Sequence, residues 1–554
     1  MTHLLSISIG PVQPFIAAAR RTADLSAGSD LLVKIATAVA ISVRDQGGEL
    51  IFPADPATDG PNKILAKVSG DPKAIAQTAQ TAAQKVLADA WASALTAEVE
   101  PHVDDALADA QVKSFLEFYA AWVPVNDDNY PEARKQVELL LAGRKALRDF
   151  EQPTSTAGIR KSPLDPARDS VILDTMPRAK GPLFLKKAEH LDAVSLIKRV
   201  QGRGEGGVPS TSELSSVALR AQIGRDNPAA FDTLSAIAES TKKRLSVGDL
   251  LYPGRLKDAV EGGELTMVQG DKARTACEGK EPPDWASYYA ILCADGDKMG
   301  KLLGEMTTPA KHIAFSRNLS AFAKAANGIV SSHGGHCVYS GGDDVVALLP
   351  THKALDCAAE LAKAFHAAVR GNLSVGVAIV HHMDPLQISL ERAREAEREA
   401  KKERNSLAVA LHTRGGEPRI VAEQWASDYK LTTWDKWEKA FRDKDGLSHG
   451  FPYELRHLAR EAKGVLSADT LKAEADRAIH SEVASTSYVV VLSADTLKAE
   501  ADRILKRKQG GTGNQPYLAS LEEAIGKCCN ADKLEALVAK LIICRFLAQY
   551  PEVS

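Results

Sequence analysis

Apolar runs and amphipathic stretches alternate along the chain, and the pattern changes near residue 286. Before that point, an apolar run at 4–9 predicts a strand that Gly10-Pro11 ends. Helical spacing follows over 15–43, interrupted near 26–30, and recurs over 70–100, over 112–150 except near 123–131, and over 210–245. Glycine, proline, serine and charged residues accumulate over 151–183 and 253–284, which predicts a loop and a linker or exposed hairpin. The first ~45 residues are therefore expected to run strand, turn, helix.

After residue 286 the spacing is typical of a compact mixed domain. Short apolar runs predict strands, and longer periodic segments predict helices between them. The predicted strands cover 288–294, 336–340, 345–349, 373–380 and 407–412, and the predicted helices cover 309–333, 351–370 and 384–404. The order β-α-β-β-α-β is that of a ferredoxin-like unit. From about 420 onward the chain is mostly helical in pattern, so the predicted fold class is α+β.

Composition narrows the class of protein without deciding it. The 554 residues are enough for three or four domains, and 44% apolar with 25% charged residues is ordinary for a globular chain. A net charge of −3 gives no global basic field for nucleic acid. The seven cysteines form no C-x-x-C pair, and the N-terminus lacks the pattern of a signal peptide. We therefore expect a cytoplasmic protein with no membrane association.

One segment is repeated without change. Residues 465–477 recur identically at 491–503. Two copies do not make a solenoid, which needs at least three repeats. A recent tandem duplication and a sequence artefact explain the identity equally well, and we assign the repeat no function.

The run Ser340-Gly341-Gly342-Asp343-Asp344 joins two of the predicted strands. Transfer of a nucleotidyl group needs negative charge to be neutralised on the triphosphate and on the attacking hydroxyl, which two Mg²⁺ ions can do. Carboxylate oxygens are the hard ligands that Mg²⁺ prefers, and the two glycines let the backbone approach a nucleotide. The run therefore predicts the metal-binding turn of a palm-type nucleotidyl cyclase or polymerase.

A second source of carboxylates is Asp295-Gly296-Asp297, at the end of the strand 288–294. In a ferredoxin-like unit the first strand lies beside the hairpin, so Asp295 and Asp343 are expected to converge. Each motif alone is more often a simple turn. Their combination, each at the end of an apolar strand and in the right order, favours a shared metal site.

Lys401 is a further candidate because a lysine on the helix before the last strand can reach a triphosphate. Basic and acidic residues surround it, and on spacing alone a solvated charged face is the favoured interpretation.

At this point the chain resembles a family, the large subunit of type III CRISPR effector complexes of the Cmr type. The resemblance covers almost the whole chain. It is carried by 9–16 with 19–25 and 28–29, then 194–199 and 209–214, then 295–300, 339–344, 373–382 and 400–401.

The resemblance implies two ferredoxin-like palm domains related to nucleotidyl cyclases, with helical domains. The implied division is 1–150 for the first palm, 151–285 for a helical and linker domain, 286–415 for the second palm and 416–554 for a C-terminal helical domain. Asp295, Asp343 and Asp344 would be catalytic metal ligands. The implied nucleotide contacts are Gly296, Ser340, Gly341, Gly342 and Lys401, with Gly10 and Gln13 facing a second ATP.

The implied function is synthesis of cyclic oligoadenylate from ATP, with Mg²⁺ or Mn²⁺, when target RNA pairs with the guide RNA. The implied partners are other Cmr-type subunits and, through the complex, guide RNA and target RNA. The sequence departs from many family members in two respects. It contains no His-Asp dipeptide, so we expect no HD nuclease activity, and no cysteine precedes Val194, so we expect no structural zinc.

Three other functions stay open on the sequence. The chain could be a non-catalytic scaffold and target sensor, although carboxylates that repel one another have no use without metal. It could join AMP to a different acceptor, since pocket shape decides the acceptor. A template-dependent polymerase would share the chemistry but would need a continuous basic groove, which the balanced charge does not favour.

Overall fold

The computed structural model divides the chain into two compact units, 1–407 and 408–554. It describes residues 1–551 except 57–60, 127, 148–157, 179–182, 184, 187–188, 203–206, 242–243, 445, 465–493, 509–516 and 529. The first copy of the repeat lies outside the described residues, and residues 494–503 of the second copy are helical.

A four-stranded antiparallel sheet opens the first unit. Its strands are β1 His3–Gly10, β2 Glu49–Phe52, β3 Lys63–Val68 and β4 Glu117–Pro124, in the order β2-β3-β1-β4. Five helices accompany it, α1 Gln13–Ala17, α2 Thr22–Asp45, α3 Pro72–Ala94, α4 Asp105–Phe115 and α5 Tyr130–Ala146. The central strand β1 is buried from Leu4 to Ile9, as its apolar run predicts.

The strand β4 corrects one sequence prediction. Helical spacing was expected over 112–150 except near 123–131, but residues 117–124 are extended and pair with β1 along their whole length. Tyr119, Ala121 and Val123 are buried on one face of the sheet, whereas alternate residues are more exposed. The strand has the two-residue period of a half-buried sheet, and its short length hides that period between two helices.

The second sheet repeats this topology. Its four strands in the first unit are β5 Tyr288–Gly296, β6 His336–Ser340, β7 Val345–Pro350 and β8 Leu373–His381, in the order β8-β5-β7-β6. The helices are α13 Met299–Gly304, α14 Pro309–Ser332, α15 Ala354–Val369 and α16 Leu386–Glu403. With the first strand between the third and the fourth, both sheets are ferredoxin-like, which confirms the predicted fold class.

The two sheet domains share one hydrophobic core. A single cluster of buried side chains includes Ile7 and Phe15 from the first domain and Tyr289 and Leu390 from the second. Polar contacts cross the same boundary, among them Tyr130 Oη to His312 Nδ1 at 2.7 Å. This continuous packing fixes the two palm domains against each other.

The segment between the sheets is more helical than the sequence predicted. Helices were expected over 210–245 and are present as α7 Thr211–Ser215, α8 Val217–Asp226 and α9 Pro228–Ser240, after α6 Ala193–Gln201. The linker expected over 253–284 is wrong, because α11 Pro253–Glu261 and α12 Met267–Ala276 follow α10 Val247–Leu251. Pro253 begins α11 and Thr266 caps α12, so a proline that was counted toward the linker marks the start of a helix.

The second unit is largely helical, as predicted. Its strands are β9 Ser406–Leu411 and β10 Arg419–Gln424, and its described helices are α17 Thr432–Arg442, α18 Phe451–Gly464, α19 Ala494–Lys508, α20 Leu518–Gly526 and α21 Ala531–Leu547. Lys540 is buried at its centre, 2.7 Å from both carboxylate oxygens of Glu423 and over the rings of Trp434 and Trp437. Short 3₁₀ turns in the chain cover Glu100–His102, Asp284–Ser287 and Thr351–Lys353.

One described helix, Thr22–Asp45, is long and apolar enough to cross a membrane by length and composition. It is α2, and most of its apolar window is buried inside the fold. Its apolar character is that of a core helix, with Leu25, Leu31, Ile35 and Val39 fully enclosed.

Candidate active site

The predicted acidic turn lies at the tip of the β6–β7 hairpin. Gly341 N donates to Asp344 O at 3.0 Å, which closes the turn between the two strands. Gly342 has φ of +96°, in the left-handed region, and a Cβ on Gly341 would overlap the ring of Tyr339. The turn itself therefore requires both glycines, which adds a structural reason to the nucleotide access inferred from the sequence.

Asp295 and the hairpin tip converge as predicted. Strand β5 pairs with β7, with Ala294 opposite Val345, so the ends of both strands lie side by side. A Cβ on Gly296 would lie 2.9 Å from the Cβ of Asp343. Gly296 therefore allows the close approach that brings the end of β5 against the acidic turn.

The electrostatics of the turn reflect this convergence. Burial, followed by the charge of Asp295, raises the pKa of Asp343 to about 6. Burial and the charges of Asp295, Glu397 and Asp343 raise the pKa of Asp344 to about 7. Burial also raises the pKa of the neighbouring Tyr339 hydroxyl, with contributions from Asp344 and Asp343. The site concentrates negative charge where water is partly excluded, so a cation there would be strongly favoured.

Lys401 supplies positive charge at this site. Its ammonium donates to Asp295 Oδ2 and lies 3.1 Å from Glu397 Oε1. Burial would lower the pKa of Lys401, but the hydrogen bond and charge of Asp295, with those of Glu397, raise it overall. The structure therefore places Lys401 in the acidic site and not on a solvated face, although helix α16 is largely charged.

Glu397 is a site residue that the sequence analysis missed. It precedes Lys401 by one helical turn, and an acidic residue four positions before a lysine is a recognisable helix pair. Its position depends on Gly376 of β8, because a Cβ there would lie 2.1 Å from Glu397 N. Close packing of α16 on the sheet thus brings both side chains to the acidic turn.

The first palm domain reaches the site through Gln13. Its side chain hydrogen-bonds to Asp344, which lowers the pKa of that carboxyl against the stronger effects that raise it. Gln13 is exposed and begins α1, directly after the end of β1. Gly10 ends β1 and would place a Cβ 3.1 Å from Glu117 Oε2, so it lies in the same strand-end region of the first domain.

Ser340 and Asp297, which the sequence analysis names, have hydrogen-bond partners outside the acidic turn. Ser340 is buried and its hydroxyl donates to Ala323 O of helix α14 at 3.2 Å. Asp297 accepts from Ser374 Oγ at 2.8 Å and from Asn405 N at 2.7 Å. Asp297 therefore fixes the loop after β5, whereas its neighbour Asp295 faces the acidic turn. A nucleotide contact by Ser340 stays a prediction.

Among the residues that the structure describes, no three His, Cys, Asp or Glu side chains form a group that could hold a metal ion. The carboxylates of Asp295, Asp343 and Asp344 offer the hard oxygen donors that Mg²⁺ and Mn²⁺ bind, and Lys401 at present satisfies one of them. Their assignment as metal ligands stays a prediction.

Comparisons with known proteins match parts of both sheet domains. The family model for the second palm domain of Cas10/Cmr2 matches residues 288–408, and the model for the N-terminal region of the CRISPR-associated protein Cmr2 matches residues 4–110. The CRISPR system Cmr subunit Cmr2 of Pyrococcus furiosus is 31% identical over 217 residues. That alignment covers 33% of this chain and only 25% of the relative's length.

The fold agrees with solved structures at low sequence identity. A cryo-EM structure of the Type III-B Cmr-beta bound to cognate target RNA contains a chain similar to this one, with a TM-score of 0.60 and 13% identity. The match covers 88% of this chain and 79% of that chain. The apo state of Cmr-beta gives a TM-score of 0.61 at 13% identity, over 93% of this chain and 78% of that chain. The sequence matches show that this chain is similar to Cas10/Cmr2 proteins over residues 4–110 and 288–408, and the two Cmr-beta structures share its fold.

Proposed function

We propose that the chain is the large subunit of a type III-B, RNA-guided antiviral complex and that it converts ATP to cyclic oligoadenylate when target RNA binds. The observation that carries the proposal is the convergence of Asp343 and Asp344 with Asp295, next to Lys401 and to Gln13 of the other palm domain. The proposed partners are other Cmr-type subunits and, through the complex, guide RNA and target RNA. The proposed location is the cytoplasm.

The donor set fits a divalent metal by its chemistry. Asp295, Asp343 and Asp344 would hold Mg²⁺ or Mn²⁺ through carboxylate oxygens. When bound, the metal neutralises triphosphate charge and lowers the pKa of an attacking 3′-hydroxyl. The cost of burying Asp343 and Asp344 as anions beside Asp295 is the physical reason that a cation would be retained.

The remaining site residues would bind and orient the nucleotides. Lys401 donates to Asp295. Once a metal binds that carboxylate, the ammonium would bind a phosphate oxygen instead. Gln13 would orient a second ATP from the first palm domain, because it already contacts Asp344 across the boundary between the palms. The hydroxyl of one ATP would attack the α-phosphate of the other, and pyrophosphate would leave. Positioning of the two nucleotides supplies most of the catalysis in such a reaction.

The direct test uses the assembled complex with guide RNA, target RNA, ATP and Mg²⁺, with products identified by mass spectrometry. The wild type is expected to form cyclic oligoadenylate only with target RNA. The combined change Asp343→Ala and Asp344→Ala is expected to abolish the product while target RNA still binds. Asp356→Asn, which changes an exposed carboxylate of α15 in the same palm domain, is the matched control and should keep full activity.

The outcomes separate the alternative functions. If mass spectrometry finds AMP joined to another acceptor, that product takes the place of cyclic oligoadenylate as the proposed messenger. Products whose length and sequence follow the RNA would indicate a polymerase. A wild-type complex that binds target RNA and forms no nucleotide product would indicate a scaffold and would refute the proposal.

A further inference from the structure

Lys198 is a buried lysine that the proposed chemistry does not use. It lies on α6, is 1% exposed, and donates from Nζ to Phe15 O at 2.7 Å and to Ala18 O. The ammonium also lies 4.5 Å from the centre of the Phe15 ring. Among the described residues no ion pair joins it to a carboxylate, so main-chain carbonyls and an aromatic face solvate the charge.

The carbonyls that Lys198 binds belong to the end of α1. This helix has five residues, and a helix that short cannot satisfy its own C-terminal carbonyls. Ile16 N donates to Val12 O and Ala18 N donates to Pro14 O, which leaves the carbonyls of Phe15 and Ala18 for an outside donor. A cation at a helix C-terminus also interacts favourably with the helix dipole. Lys198 thus completes a helix that lies 183 positions away in sequence.

The lysine is held firmly in this position. A Cβ on Gly28 would lie 2.8 Å from Lys198 Cδ, so α2 passes directly against the lysine stem. Asp192 caps α6 by accepting from Val194 N and Ser195 N. The next residue, Arg199, donates from Nη2 to Asp24 Oδ2 at 2.9 Å and to Glu189 Oε1 at 2.8 Å. Helix α6 is therefore a rigid support for both α1 and α2.

The first residue of α1 is Gln13, whose side chain hydrogen-bonds to Asp344. We infer that Lys198 is a positioning residue for the nucleotide site, because it fixes the end of α1 and thereby holds Gln13 against the acidic turn. The inference rests on the proposed function for its catalytic consequence. The structural part of the inference, that Lys198 orders α1, does not depend on catalysis.

The kinetic test is a double-mutant cycle of Lys198→Met and Gln13→Ala in the assembled complex. Methionine keeps an unbranched stem and removes the charge and the donors. Each single change is expected to lower kcat/KM for ATP about tenfold, because a displaced side chain loses its positioning effect. If Lys198 acts through Gln13, the double variant is no slower than the single variants. Independent effects that multiply to about a hundredfold would overturn the inference.

Lys540→Met is the matched control, since Lys540 is also a buried lysine over aromatic rings but lies in the second unit. It is expected to lower thermal stability at least as much as Lys198→Met and to show no coupling with Gln13→Ala. Equal coupling of both lysines to Gln13 would identify general destabilisation as the cause and would overturn the inference.

Hydrogen exchange separates this inference from the proposed function. In Lys198→Met, the amides of Ile16, Ala18 and Ala19, which are hydrogen-bonded in the wild type, are expected to exchange at least about tenfold faster. If the wild-type complex forms no nucleotide product, the proposed function fails and the exchange result alone decides the positioning role. Unchanged exchange at these amides would refute that role whatever the activity.

Discussion

The two palm domains have the same order of their first four strands and the same register, yet among the described residues only the second carries an acidic site. In each, the last residue of the first strand pairs with the first residue of the fourth, Gly10 with Glu117 and Gly296 with Leu373. The third strands also begin at equivalent positions. Their first residues, Lys63 and Val345, lie opposite Ser8 and Ala294, and each of these is two positions before the last residue of its first strand. The two sheets can therefore be compared residue by residue.

This register shows what replaces each acidic residue in the first palm domain. Ile9, which is 2% exposed, stands at the position of Asp295, and Pro61 and Asn62 stand at the positions of Asp343 and Asp344. The first domain instead contributes Gln13, just after its first strand. The comparison teaches that the shared scaffold places strand ends together, whereas the residues at those ends decide whether a metal can be held.

The largest expected effect comes from changing Asp344, which is compared with Asn62 at the equivalent position of the first palm domain. Asp344→Asn is expected to lower product formation at least about a hundredfold, because the proposed metal would lose a carboxylate ligand that an amide replaces poorly. Asn62→Ala, at the equivalent exposed position of the first palm domain, is expected to change the rate by no more than about twofold. Rates of product formation in the assembled complex check both. Equal losses for the two variants would mean that both domains are catalytic.

Much of this arrangement could be predicted from the sequence, and the limits have physical causes. The second palm domain was predicted strand by strand, because buried apolar runs and an acidic hairpin punctuate it clearly. Strand β4 was missed, since its alternating pattern is short and lies between two helices. Lys198 could not be recognised, because its partners are backbone carbonyls, which leave no signature in the side chains of distant residues. Likewise, the contact of Gln13 with Asp344 depends on how two domains pack.

A second prediction concerns the packing that brings Glu397 and Lys401 to the site. Gly376→Ala would place a Cβ 2.1 Å from Glu397 N, so it is expected to lower the free energy of unfolding by about 3 kcal/mol. The register gives Ala120 as the equivalent residue of the first palm domain, and Ala120→Gly should cost only about 0.5–1 kcal/mol. Denaturant unfolding measures both. If Gly376→Ala costs no more than Ala120→Gly, the close helix packing is not specific to the second domain.

A third prediction tests the boundary between the palms, where His312 is hydrogen-bonded to Tyr130. Burial and the charges of Arg134 and Lys63, opposed by Glu138, lower the pKa of His312 to about 4. The folded state therefore favours the neutral ring. Its stability contribution is complete above the unfolded pKa of about 6.5 and is lost progressively as pH falls toward 4, by up to about 3 kcal/mol.

His312→Gln removes this titration and serves as the comparison for that third prediction. Between pH 7 and pH 4.5 the wild type should lose more stability than the variant, measured as the free energy of unfolding at each pH. Identical pH dependence in the two proteins would show that the boundary between the palms does not exclude the charged ring.

The smallest expected effect concerns the length of the hairpin turn. Four residues connect β6 and β7, whereas 53–62 connect β2 and β3, and Gly342 in the shorter turn has a φ of +96°. Gly342→Ala is expected to lower the free energy of unfolding by about 1–2 kcal/mol, because a side chain disfavours left-handed backbone and would lie 3.0 Å from Leu319 Cδ2. Gly300→Ala, in α13 with open space around it, should instead be neutral or stabilising. Thermal unfolding of both variants decides whether the left-handed backbone at Gly342, and not loss of glycine as such, sets the cost of the substitution in the acidic hairpin.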